Sequence, residues 1–119
     1  MNTSKLISSI QAAYAMMQTA TAEAEATAIH QADCARALVK ARQRELLKVE
    51  DPKELGSNEA QRAAKLDELC ADEVAAVEAA DKALRAATHR QKMVALDVDL
   101  ARAMLRIAEV EAGIARGER

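Results

Sequence analysis

From Ala63 to Ala115 the chain repeats one step, three residues and then four, through Ala63, Leu66, Cys70, Glu73, Val77, Ala80, Leu84, Ala87, Gln91, Val94, Val98, Ala101, Leu105, Ala108, Ala112 and Ala115. Only Glu73 and Gln91 in that series are polar. A step averaging about 3.5 residues is the period of a left-handed coiled coil, whereas strand side chains repeat every two residues. A helix carrying this stripe must lay it against another helix, and its many alanines allow close approach.

The composition agrees with helix. Alanine fills 29 of the 119 positions, and Tyr14 is the sole aromatic residue. Alanine loses no rotamer freedom in a helix, while strands draw on the β-branched and aromatic residues that are scarce here. A chain of this length is one domain with a modest core, and it gains by borrowing burial from a partner.

One break interrupts the helical pattern, at Asp51-Pro52-Lys53-Glu54-Leu55-Gly56-Ser57-Asn58. Asp51 can cap a short turn with Pro52 at its first position, Gly56 can supply a left-handed stop, and Ser57 or Asn58 can cap the next helix. The spacing predicts a single domain made of a helix over residues 4–50, a turn over 51–57 and a helix over 58–116 that is ended by Gly113 and Gly117. The first helix supplies a less regular stripe through Leu6, Ile10, Ala13, Met17, Ala20, Ala24, Ala28, Ala35, Val39, Leu46 and Val49. The fold expected is all-α, an antiparallel two-helix coiled-coil hairpin that assembles into a four-helix dimer.

With the turn near Leu55, Arg36 falls near Asp72 and Lys40 near Glu68. The end of the first helix is basic, and Asp67, Glu68, Asp72, Glu73, Glu78 and Asp81 make the facing stretch acidic. Such pairs select register more than they add stability. Turned outward, the same carboxylates would form an acidic patch for a partner. The register also sets Ser4 opposite about Met104, which leaves the end of the second helix without cover. That end carries Met93, Leu96, Leu100, Ala103, Ile107, Val110 and Ile114 on the side away from the stripe. A helix apolar on two opposite sides needs burial on both, so these seven are the expected self-association interface.

Other chemistries find less support. His30 and Cys34 share a helical face, with Glu73 or Cys70 brought near, but packed thiols account for them as well and no Glu-x-x-His pair is present. No metal or other cofactor is expected. A pair of helices offers no pocket for converging nucleophile, base and orienting group, and no Gly-rich phosphate loop occurs, so no enzyme activity is expected. The basic residues from Arg36 to Lys48 lack interleaved aromatics, and a net charge of −2 gives no field toward nucleic acid or an anionic membrane. Lys5 followed by Leu6 to Met17 imitates a signal peptide, but Ser8, Ser9 and Gln11 dilute it. No membrane span is long enough, and two cysteines without CxxC spacing suit a reducing setting, so the cytoplasm is the expected location.

The turn and helix start Leu55-Gly56-Ser57-Asn58-Glu59-Ala60-Gln61-Arg62, followed by leucines and alanines at heptad spacing, resembles a pattern in small helical-hairpin proteins encoded by phages and prophages. The resemblance covers the second helix only and carries no functional residue across. It implies a viral or mobile-element origin, in which small proteins of this shape often bind host machinery, including as inhibitors of defence systems. Two functions follow as expectations. One is a structural or scaffolding module that self-associates; the other is a phage-type inhibitor or adaptor, anti-CRISPR-like, that presents its apolar face or acidic patch to a host protein.

Overall fold

The computed structural model describes residues 3–115 and residue 117, and among them it contains no strand. Helix α1 spans Thr3–Leu47, a single 3-10 turn spans Pro52–Glu54, α2 spans Glu59–Leu69 and α3 spans Ala71–Ala115.

The connection is built from its own side chains. Asp51 accepts from the Lys53 amide at 3.0 Å, Pro52 opens the 3-10 turn, and the Gly56 amide donates to the Lys53 carbonyl at 3.2 Å. Asn58 is the N-cap of α2, accepting from the Gln61 amide at 2.8 Å. Gln61 Oε1 in turn accepts from the Ser57 amide at 2.9 Å and from its hydroxyl at 2.6 Å. These are the reciprocal contacts of a capping box, displaced by one residue. Gly56 does not take the left-handed conformation expected of it; among the described residues only Gly117 has a positive φ, 75°. Gly56 is required for space, because a Cβ there would lie 2.6 Å from the Gln61 Cβ.

The sequence predicts one helix after the turn, but the structure has two. Cys70 departs from helical geometry, with φ −108° and ψ 32°, although its amide still donates to the Leu66 carbonyl and its carbonyl accepts from the Val74 amide, each at 2.9 Å. No Gly or Pro marks the site. Cys70 is 2% exposed and belongs to a cluster with Leu38 and Ala41, against which Val74 and Val77 pack.

That cluster centres one of two compact units, Ala26–Arg85. Here the least exposed positions of α1 include Thr27, Gln31, Cys34, Leu38, Ala41 and Glu45, again three and four apart. Ala28, Val39 and Leu46, placed on the buried stripe by sequence, are exposed. The polar members of the stripe are tolerated because they find partners: Gln31 Nε2, for instance, donates to Asp81 Oδ1 at 2.9 Å. Beside the stripe Arg42 donates to Asp67 Oδ1 from Nε at 3.0 Å and from Nη2 at 2.5 Å. The pairs expected at Arg36–Asp72 and Lys40–Glu68 do not form. Arg36 pairs with Asp33 and Lys65 with Glu68, each one turn away on its own helix, where little side-chain freedom is lost in meeting.

The other unit comprises Met1–Glu25 and Ala86–Arg119. Leu6, Ile10, Ala13, Met17, Ala20 and Ala24 of α1 are drawn in, as are Ala87, Gln91, Val94, Val98, Ala101, Leu105 and Ala108 of α3. Gln91 Nε2 donates to Thr21 Oγ1 at 3.3 Å, Arg90 pairs with Glu23, and the Arg102 guanidinium lies 5.1 Å from the Tyr14 ring centroid while donating to its hydroxyl. As residue numbers fall along α1, those of the partners rise along α3. With Arg102 beside Tyr14, the same antiparallel count sets Leu105 at about the level of Gln11 and Ala108 at about that of Ser8. Leu6 is 8% and Ala108 5% exposed, so cover reaches past Met104, further than the sequence register allows.

Candidate protein-interaction surface

The seven residues predicted for self-association lie on α3 within the second unit. Each stands two positions beyond a buried-stripe residue, roughly 200° around the helix. Six of them are exposed, from 48% at Met93 to 70% at Ile114, with Leu96, Leu100, Ile107 and Val110 between; Ala103 is half-buried. Their own steps alternate three and four, so α3 carries two heptad stripes on opposite sides. The inward one is covered by α1, while the outward one is exposed at six of its seven positions. Longer intramolecular cover leaves this result unchanged, because the outward stripe faces away from α1 along its whole length.

Charged residues border the outward stripe. Asp97, Asp99, Arg106 and Glu111 are exposed, and none forms an ion pair among the described residues. A polar border around an apolar strip is the composition of a protein interface, with a dry centre and a solvated rim.

The acidic patch divides. Asp67 is held by Arg42, Asp81 by Gln31 and Glu68 by Lys65 at 3.7 Å, while Glu73 is half-buried. Asp72 and Glu78 are exposed and form no ion pair among the described residues, and Asp72 lies in the first turn of α3, where the helix dipole favours negative charge. The six carboxylates therefore do not form a uniform outward face.

Sequence reading missed two apolar hollows. One, about 340 Å³, is lined by Ala15, Met16, Thr19, Ala20, Glu23, Arg90 and Val94 in the second unit. The other, about 350 Å³, lies in the Ala26–Arg85 unit at Gln43, Leu46 and Leu47, the last 86% exposed. The adjacent leucines signal the latter, since two neighbours on a helix cannot share one face.

Both cysteines are free, Cys34 half-buried and Cys70 buried. Burial pushes the Cys70 thiol above its ordinary range, the Glu73 and Glu45 carboxylates push the same way, and Arg42 opposes them. Cys34 Sγ lies 3.6 Å from His30 Nε2, yet among the described residues no three His, Cys, Asp or Glu side chains gather as a metal site would require. No described helix is long and apolar enough to cross a membrane.

The chain matches no protein-family model, and no curated protein or solved structure shows significant similarity to it.

Proposed function

We propose that the protein is a non-enzymatic interaction module, an antiparallel coiled-coil hairpin that self-associates as a structural or scaffolding homo-oligomer, with two hairpins forming a four-helix dimer. The single observation that carries this reading is the outward stripe from Met93 to Ile114, apolar at heptad spacing and exposed at six of its seven positions. Heptad spacing is what a helix needs to receive another helix along its length, whereas irregular apolar patches suit globular partners. A two-fold dimer covers both copies with one surface. The test is the mass in solution by size-exclusion chromatography with light scattering, from low to high micromolar concentration. Twice the chain mass is expected, and a monomer at high micromolar concentration refutes the reading.

A phage-type inhibitor or adaptor would offer a face to a host protein instead. Its support is narrower, because among the described residues only Asp72 and Glu78 of the acidic patch are both exposed and without an ion pair. Retention of a host protein by a monomeric chain would bring that function forward.

A further inference from the structure

We infer that the partner on the outward stripe is a second copy of this chain in one register, with its α3 running antiparallel, Leu100 against the partner's Ala103 and Asp99 beside the partner's Arg106. This rests on the self-association reading above and adds direction and alignment to it.

The alignment comes from the stripe and its borders. Two antiparallel copies can interleave six of the seven positions in two ways. In the first, Leu100 faces the partner's Ala103, Leu96 the partner's Ile107 and Met93 the partner's Val110, each occurring twice about a two-fold axis between Ala101 and Arg102. In the second, shifted by a heptad, Leu100 faces the partner's Val110 and Ala103 the partner's Ile107.

Border charges separate the two. In an antiparallel pair the residues just before Met93, Leu100 and Ile107 meet along one edge, and those just after Leu96, Ala103 and Val110 meet along the other. The first alignment then sets Asp99 beside the partner's Arg106, twice, with no like charges adjacent. The second sets Arg106 beside the partner's Arg106, and Asp97 beside the partner's Glu111 twice. Like charges held together are destabilising, so the second alignment is disfavoured. Both residues of the favoured pair are exposed and form no ion pair among the described residues.

Packing at the centre argues against parallel copies. A parallel dimer would set Ala103 against the partner's Ala103 and leave a hollow between layers of Leu100 and Ile107. The antiparallel alignment puts each Leu100 over the partner's Ala103, large onto small, which is how well-packed cores interdigitate.

Charge exchange tests this without touching the stripe. Asp99→Arg and Arg106→Asp are each made in the full chain, with circular dichroism confirming helicity, and dimer dissociation is measured by sedimentation equilibrium at low salt. Each single variant places like charges together twice and should dissociate about tenfold more readily. An equimolar mixture of the two should recover parent affinity as a heterodimer, because each Arg then meets an Asp, and the double variant should recover it too. In a parallel dimer Arg106 would lie by the partner's Glu111, so Arg106→Asp would weaken association and neither mixing nor the double exchange would restore it. A dimeric parent that ignores the exchange, or is not rescued, overturns the alignment and leaves self-association standing. A monomeric parent overturns both.

Discussion

Replacing Ile107 and Val110 together with Asp should convert the dimer into a helical monomer. The two residues are 55% and 61% exposed in the chain, so roughly half of each side chain's burial remains available to a partner. Full burial of an Ile or Val contributes about 1.5–3 kcal/mol, which leaves about 1–2 kcal/mol apiece and about 4–8 kcal/mol for the four side chains of two copies. At about 1.4 kcal/mol per tenfold, association weakens by roughly three to six orders of magnitude before counting four carboxylates brought into an apolar strip. Neither residue belongs to the stripe that α1 covers, so far-ultraviolet circular dichroism should keep its helical form while the mass from light scattering halves. If the double variant retains the parent's mass, the outward stripe is not the interface. If it loses helicity along with mass, these residues support the chain's own fold and the assignment of two separate stripes is wrong.

Gly56→Ala should lower stability by about 1–3 kcal/mol, measured by urea denaturation, because the new methyl meets Gln61 at 2.6 Å. Asn58→Ala removes the α2 cap and should cost about 0.5–2 kcal/mol by the same measurement, with Asn58→Asp close to the parent. Under native conditions Cys34 should react with an aromatic disulfide reagent well before Cys70, and equal rates in the folded state would contradict the burial described. The Cys70 thiol, raised above its ordinary value of 9.0, contributes its stability in full below that pH. That contribution is lost as pH rises through the higher folded value. Thermal midpoints should therefore fall on the alkaline side, and less in Cys70→Ala than in the parent. Arg42→Met should cost under about 1 kcal/mol, with the loss shrinking at high salt, since both partners in the Asp67 pair are partly exposed.

Helical class, the position of the connection and both stripes of α3 can be read from residue spacing, because a seven-residue repeat is written on one element and needs no knowledge of its partner. The inner face of α1 cannot be read that way. Its repeat passes through Thr27, Gln31, Cys34 and Glu45, and a reader following apolar residues drifts to Ala28, Val39 and Leu46, which the structure exposes. What makes Gln31 acceptable is Asp81, fifty residues away in the chain. The break at Cys70 is equally silent, since no Gly or Pro marks it. Ion-pair expectations failed for a different reason: Gln31 meets Asp81 and Glu23 meets Arg90, a register a few residues away from the one that sets Arg36 opposite Asp72.

Tyr14 is the sole aromatic side chain, and its ring is held under Arg102 in the unit formed by the two chain ends. Tyrosine emission and near-ultraviolet dichroism therefore report on one place in the molecule, with no tryptophan to obscure them. The buried Cys70 thiol reports on the other unit by its protection from reagents. The chain thus carries one native probe for each compact unit. A denaturant titration followed by both signals can tell whether the ends separate before the turn region opens, without a dye or an introduced residue.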